Sequence, residues 1–181
     1  YMIPHPGGDF ALFVGHIENG KKVPFEVWVN GSEQPRGLGA VAKTLSMDMR
    51  AQDRAWLKLK LDTLARTRGE ETFDMPFPPH GENKRMPGVV AAVAQVVRYR
   101  VEQLCGNLDE KVPTPVLDSM FSLQEPKTGT DGTLSWTVDI QNPASGEDFV
   151  LGLKEITLPD GVTRPYSMWL SGNYPRALDG L

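Results

Sequence analysis

The sequence predicts an α+β fold with a mainly antiparallel sheet, built from an internally duplicated unit whose second copy is truncated. The first observation is that residues 9–38 and residues 148–178 read alike, starting with DFAL against DFVL. The second is the alternation of apolar residues on both sides of turn dipeptides, which is typical of antiparallel β-hairpins. The third is apolar residues at helical spacing between residues 37 and 105, which predict three helices after the first hairpin.

The two stretches match at rare residues once short insertions are allowed. Asp9 and Asp148 differ by 139 positions, two inserted residues raise the offset to 141, and one deletion then lowers it to 140. The chain has only four tryptophans, so two of them at matching places argue against chance. The matched pairs are Gly20 and Gly161, Pro24 and Pro165, Trp28 and Trp169, Gly31 and Gly172, and Arg36 and Arg176.

In the first copy we expect the tail of a strand at residues 1–3 and a hairpin of two strands, residues 10–17 and 24–30, around Asn19-Gly20. The segment PFEVWVN places Phe25 and Val27 on one face and Trp28 on the other. A Gly-, Ser- and Pro-rich loop then leads to the helices.

Three helices should follow. The first spans about residues 37–49, and the second runs from an N-cap at Asp53 to about residue 66. Residues 67–87 hold four prolines and two glycines, so we expect an irregular loop there. Pro87 then opens a third helix over residues 88–105.

The second copy should contain three strands at residues 134–140, 149–156 and 165–170, with a hairpin around Asp160-Gly161. We therefore expect a first repeat at residues 1–107, a linker at 108–131 and a second repeat at 132–181 that stops where its helix should begin. The sequence is interpreted as a fragment of a longer chain.

Composition excludes several classes of protein. The net charge of −4 argues against a general phosphate-backbone binder, so no direct nucleic-acid contact is expected. No run approaches the roughly eighteen apolar residues of a membrane helix, and the start YMIPHPGGD is no signal peptide. The lone Cys105 rules out an intramolecular disulfide. We expect a cytoplasmic protein. The sequence does not decide whether it forms a homo-oligomer.

Catalytic and metal-binding patterns are weak. Only His16-x-Glu18 pairs a histidine closely with an acid, whereas a metal site needs three or four ligands, so none is predicted. Cys105, late in an apolar helix, fits a buried structural thiol better than a nucleophile. Gly37-x-Gly39 opens a helix but lacks the rest of a phosphate-binding fingerprint, which leaves at most a weak anion site with Arg36. No catalytic residue is assigned.

The duplicated residues are the candidates for binding. Arg36 and Arg176 could tether a loop to the sheet, which is the simpler interpretation, or contact an acidic partner. Trp28 and Trp169 could be covered by the following helices, the default expectation, or present an aromatic surface to a partner. Asn30, at the end of the strand, completes the candidate binding residues.

The segment PFEVWVNGSEQPRGLGAVAKTLSMDMR resembles the C-terminal part of adenosylcobalamin-dependent (class II) ribonucleotide reductases, in which a PFEIFIN-type strand precedes a helix. Met86-Pro87-Gly88-Val89-Val90 is similar to the start of a later helix of that family. The resemblance covers about residues 1–107 and, through the duplication, residues 134–181. Its best matches are Pro24, Phe25, Glu26, Val27, Val29 and Asn30.

This resemblance implies a small accessory chain that supports a large catalytic chain in deoxyribonucleotide synthesis. The family's radical chemistry requires a thiyl cysteine and a redox pair of cysteines, and Cys105 alone cannot supply them. The resemblance therefore implies a non-catalytic partner that is not assigned a cofactor of its own, with adenosylcobalamin possible through the catalytic chain. The alternatives are a pseudo-symmetric protein-binding or scaffold module without enzymatic role and, last, a hydrolase using His16 or His80.

Overall fold

The computed structural model describes residues 1–31, 34–69, 71–115, 133–143, 146–158 and 160–172. Across these residues the chain is α+β, with three helices and three small antiparallel sheets. It divides into two compact units, residues 1–117 and 118–180, and each is described by itself. In chain order the elements are β1 (Met2–Ile3), β2 (Phe10–Glu18), β3 (Lys22–Asn30), α1 (Leu38–Arg50), α2 (Arg54–Leu64), β4 (Phe73–Phe77), β5 (Glu82–Met86), α3 (Val89–Cys105), β6 (Thr133–Asn142), β7 (Glu147–Thr157) and β8 (Thr163–Gly172).

The first unit is built on an antiparallel sheet in the order β1-β2-β3. The predicted hairpin is confirmed, and its register pairs Leu12 with Val29 and Val14 with Val27, with a bulge between Gly15 and His16. Because opposed residues share a face, these apolar residues line one side of the sheet. That side faces α1 and α3.

The helices of this unit follow their predicted apolar stripes. In α1 the buried residues include Leu38, Ala42, Leu45 and Met49, which recur at helical spacing. Asp53 is the predicted N-cap of α2, and its carboxylate accepts a hydrogen bond from the Trp56 N–H at 2.8 Å. The most buried element is α3, whose run of valines and alanines forms the centre of the core.

The irregular loop predicted for residues 67–87 is wrong. Residues Phe73–Phe77 and Glu82–Met86 form a hairpin, β4-β5, whose register runs from Phe73 opposite Met86 to Phe77 opposite Glu82. Phe73, Met75 and Met86 are buried and hold the hairpin to the unit. Two of the prolines that argued against a strand lie in its turn.

Polar contacts join α2 to α3. Asp62 on α2 accepts hydrogen bonds from Lys58 and from Arg98 of α3. Lys58 also lies 3.2 Å from Asp109, just after α3, and Arg98 lies 3.3 Å from the same carboxylate. Glu102 also lies 3.2 Å from Arg98, so five charged side chains form one network. Such a network favours a fixed angle between the two helices more than isolated surface pairs would.

The second unit contains one antiparallel sheet in the order β6-β7-β8. Its three strands confirm the predicted ones, and their register pairs Leu151 with both Val138 and Leu170, and Leu153 with both Trp136 and Met168. A bulge lies between Lys154 and Glu155. Much of the predicted linker, from residue 116, and residues 173–181 lie outside the described residues.

Candidate functional site

The outer face of the first sheet, on the side away from α1, carries an exposed aromatic pair. Trp28 lies opposite Phe13, and the two rings stack at 4.6 Å between centroids with planes 13° apart. Trp28 is 46% exposed and Phe13 39% exposed, so the pair is open to solvent on one side. Stacked exposed rings present a large rigid apolar surface, a feature enriched at binding interfaces.

Trp169, which the sequence match pairs with Trp28, lies on β8 in the sheet of the second unit. It lies opposite Gly152, and a Cβ added to that glycine would lie 2.0 Å from the indole Cε2. The indole therefore rests directly on the glycine backbone, at a contact that any side chain would prevent. Trp169 remains 41% exposed. The default expectation that a following helix covers the tryptophan is wrong for Trp28, whose indole stays exposed although α1 packs against β3. For Trp169 it stays a prediction, because the residues after Gly172 lie outside the described residues.

Asn30 and Arg36 are exposed as well. Asn30 lies opposite Ala11 in the row next to the Trp28–Phe13 pair, so Trp28 and Asn30 share the outer face of β3. Arg36 belongs to the turn that leads into α1, where the Leu38 N–H donates to the Pro35 carbonyl. Arg176 lies outside the described residues. The structure thus brings Trp28 and Asn30 together and places Trp169 in the other unit.

The weak anion site considered at Gly37-x-Gly39 lies at the start of α1. Gly37 is the N-cap of α1 with a φ of 82°, a left-handed conformation that suits glycine. Gly39 lies in the first turn, and nothing lies within 4 Å of where its Cβ would be. The turn into the helix therefore explains Gly37, whereas nothing in the structure requires a glycine at position 39.

The close histidine–acid pair is a solvated cluster at the end of the first hairpin. His16 Nε2 lies 3.4 Å from Glu18 Oε1, and Lys22 Nζ lies 3.1 Å from the same oxygen. Hydrogen bonding from Lys22, and then from His16, lowers the pKa of Glu18. Among the described residues, no three histidine, cysteine or acidic side chains come close enough to hold a metal ion.

Cys105 lines a cavity of about 610 Å³ in the first unit that the sequence did not reveal. The cavity combines apolar residues with the polar side chains of Asp48 and Arg54. Arg54 Nη2 donates to the Asn107 carbonyl at 2.6 Å. The lining comes from the β2–β3 turn, the α1–α2 connection and the end of α3, segments too far apart in sequence for any motif to link them.

The thiol itself is not set up as a nucleophile. Cys105 is half-buried, and its Sγ–H donates to the Val101 carbonyl at 3.1 Å. Burial raises the pKa of this thiol, although the positive charge of Arg54 opposes the shift. Since the thiolate is the reactive form, a raised pKa lowers the reactivity of Cys105 at neutral pH.

Comparisons with protein-family models, with curated proteins and with solved structures found no match for this chain. Within the described ranges, no helix is both long and apolar enough to cross a membrane.

Proposed function

We propose that this chain is a non-catalytic protein-binding unit, made from two copies of one β-hairpin, that serves as an accessory subunit or domain of an adenosylcobalamin-dependent ribonucleotide reductase. One observation carries the binding role. Trp28 and Trp169, at matching places in the two stretches, are both exposed on the faces of their sheets. Exposed tryptophans held by cross-strand neighbours are suited to contacts with another protein.

The strand pairing supports the duplication. Each hairpin has one bulge, between Gly15 and His16 in the first and between Lys154 and Glu155 in the second. Gly15 and Lys154 are 139 positions apart, which is the offset that also pairs Asp9 with Asp148 in the sequence match. A β-bulge bends its strand, and two unrelated hairpins are not expected to carry one at equivalent positions by chance.

Two glycines extend this correspondence. A Cβ added to Gly31 would lie 2.9 Å from the Phe10 Cβ and 3.2 Å from the Asp9 carbonyl oxygen. At Gly172 the same addition would lie 2.9 Å from the Phe149 Cα and 3.1 Å from the Asp148 carbonyl oxygen. Both glycines therefore allow the end of one strand to approach the start of its partner in the same way.

The assignment to a reductase rests on the family-like segments. PFEVWVN lies within β3, and the MPGVV segment joins β5 to α3. The inert Cys105 supports a role without radical chemistry, which would belong to a separate catalytic chain that binds adenosylcobalamin. We place the protein in the cytoplasm, because a chain with a single cysteine forms no internal disulfide and so fits a reducing compartment.

The test is co-purification of the tagged chain with the catalytic chain of such a reductase, followed by measurement of ribonucleotide reduction. We expect a complex and a gain in activity when the chain is added. Trp28→Ser and Trp169→Ser should each weaken the complex by about tenfold or more, as expected for central aromatic contacts. Leu59→Ser, which replaces an exposed apolar residue on α2, is the matched control and should leave binding unchanged.

The alternative, a scaffold module unrelated to the reductase, gives a different result. No binding at micromolar concentrations would overturn the reductase assignment. Addition of adenosylcobalamin alone should not shift the melting temperature of this chain, because a ligand stabilises only the protein that binds it. The same addition to the complex should raise its melting temperature.

A further inference from the structure

The cavity of the first unit has an apolar floor and a polar mouth. It encloses about 610 Å³, within the range of pockets that hold small organic ligands. Its apolar floor is formed by Met49, Leu57 and Val101, which are buried and belong to α1, α2 and α3 respectively. Lys21 and Gln52 line the same cavity and are exposed, so they form its mouth. A ligand with an apolar body and one polar end would match both parts.

The two carboxylates in the lining are already engaged by α2. Asp48 Oδ1 accepts a hydrogen bond from the Trp56 indole N–H at 2.8 Å, and Asp48 Oδ2 lies 3.2 Å from Lys60 Nζ. Asp53 accepts from the Trp56 backbone N–H as the N-cap of the helix. A cationic ligand would therefore compete with the contacts that hold the start of α2.

The positive charges in the lining are compensated less completely. Lys22 Nζ lies 3.1 Å from Glu18, but Lys21 is exposed on the turn beside it. Arg54 Nη2 donates only to a neutral acceptor, the Asn107 carbonyl. Among the described residues, the Arg54 guanidinium forms no ion pair, and its buried Nε has no hydrogen-bond partner. A guanidinium with unused donors beside an apolar cavity is suited to a carboxylate, which can accept from two N–H groups at once.

The backbone at the mouth is strained. Gln52 has a φ of 56°, and in the part of the chain that the structure describes it is the one non-glycine residue with a positive φ. Its N–H donates to the Met49 carbonyl at 3.1 Å just after α1 ends, a position where glycine is the usual residue. Strained residues of this kind are concentrated at ligand sites. The side-chain amide of Gln52 is also a hydrogen-bond donor.

We propose that this cavity binds a small aliphatic carboxylate. The ligand's carboxylate accepts hydrogen bonds from Arg54 and Gln52, and Lys21 adds positive charge at the mouth. The aliphatic chain of the ligand lies on the apolar floor. The inference is independent of the proposed function, because it concerns the first unit alone and requires no reductase chain. Failure to capture a reductase chain would therefore leave it unaffected.

The test is calorimetric titration of the full chain with octanoate. We expect one octanoate per chain with a Kd below about 1 mM. Butanoate, which is shorter by four methylenes, should bind at least about tenfold more weakly, because each buried methylene adds to the affinity. Octylammonium has the same chain and the opposite charge, so it should also bind at least about tenfold more weakly. Absence of octanoate binding at millimolar concentration, or equal binding of octylammonium, would overturn the proposal.

Cys105 reports where the octanoate lies, because it lines the cavity and is the only cysteine of the chain. Its alkylation by iodoacetamide, a small neutral reagent, is followed by mass spectrometry. At an octanoate concentration about ten times the Kd, alkylation should slow about tenfold, as mass action requires for a thiol that the ligand covers. Octanoate that binds without slowing alkylation would occupy another place and would overturn the assignment to this cavity.

A charge variant tests the carboxylate contact. Arg54→Gln should weaken octanoate binding about tenfold and leave the affinity for octan-1-ol unchanged, because only the charged head loses its partner. Arg66→Gln removes the same charge from an exposed residue outside the lining, and it is the matched control. Equal octanoate affinity of the two variants, each shown to fold by circular dichroism, would contradict the proposal.

Two milder variants keep the proposal testable if Arg54→Gln does not fold. Gln52→Gly should keep or raise the melting temperature, since glycine tolerates the positive φ, and should weaken octanoate binding about threefold. A purely structural role of Gln52 would change the melting temperature alone. Lys21→Gln, on an exposed turn, should also weaken octanoate about threefold, because an exposed charge contributes less than a buried one. Unchanged octanoate affinity in both variants would reject the site.

Discussion

Ser46 on α1 bonds both backbone polar groups of Val27 on β3. The Val27 N–H donates to Ser46 Oγ at 2.8 Å, and the hydroxyl lies 3.0 Å from the Val27 carbonyl oxygen, within donating distance. Since β3 is an edge strand of its sheet, groups that point away from β2 have no strand to pair with. Helix α1 therefore covers the edge of the sheet as well as its apolar face.

Replacing Ser46 with alanine should destabilise the first unit. The change leaves the Val27 N–H buried without its acceptor, which costs about 1–3 kcal/mol. Urea unfolding followed by tryptophan fluorescence measures the loss. Thr44→Ala removes an exposed hydroxyl that donates to the Val41 carbonyl of the same helix, and it serves as control. Equal stability of the two variants would show that water replaces the Ser46 contact.

The paired glycines give a second prediction. Gly31→Ala should cost about 1–3 kcal/mol through crowding against Phe10, as expected for overpacking of a tight contact. Gly172→Ala should cost more, because its φ of 137° adds backbone strain that an alanine does not tolerate. Gly39→Ala, where nothing lies within 4 Å of the added Cβ, should be neutral or stabilising. Thermal unfolding of all three, compared with the parent chain, tests this order.

The network around Asp109 should make the stability of the first unit depend on pH. Hydrogen bonding from Lys58, opposed by desolvation and aided by Arg98, holds the pKa of Asp109 below its usual value. A lowered pKa in the folded state means that the stabilisation is present above the ordinary pKa of an aspartate and is lost as the pH falls through the folded value. Asp109→Asn should therefore lower the melting temperature at pH 7, and the difference between variant and parent should shrink as the pH falls below about 4. A difference that stays the same on acidification would assign the effect to packing.

Much of the fold could be predicted from local patterns. The Asp53 cap, the apolar stripe of α1 and the alternation in β3 each act within one element, so the residues that determine them are close in sequence. The β4-β5 hairpin could not be predicted, because β5 reads Glu-Asn-Lys-Arg-Met and only Met86 is buried. The sequence of β5 lacks the apolar–polar alternation of a strand, and its backbone is held in a strand by pairing with β4.

The site was harder to predict than the fold. Trp28 and Trp169 were found through the match between residues 9–38 and 148–178, but the exposure of Trp28 depends on which face of its sheet the helices cover. Ser46 lies on the buried stripe of α1. A serine at such a position looks like a small residue that the core tolerates, so the sequence does not indicate a specific hydrogen bond. Its role depends on the edge of β3, nineteen positions earlier in the chain. The cavity beside Cys105 likewise depends on three separate segments.

Cys105 should react slowly with thiol reagents while the chain is folded. Burial raises its pKa, so little thiolate is present at pH 7, and the Val101 carbonyl also holds the Sγ–H. We expect modification by a disulfide reagent such as DTNB to be about tenfold slower than for an exposed thiol, and urea should abolish the difference. The matched control is Thr44→Cys in a Cys105→Ser background, which places the chain's single thiol on the exposed side of α1.

Replacing Cys105 with serine also tests the proposed role. If Cys105 is a structural thiol, Cys105→Ser should bind the catalytic chain as tightly as the parent chain and support the same gain in ribonucleotide reduction. A folded Cys105→Ser variant that binds normally but gives no gain would make the thiol a participant in the chemistry. Fast modification of Cys105 at pH 7 in the folded chain would contradict the burial argument directly, because it would require a substantial thiolate population at neutral pH.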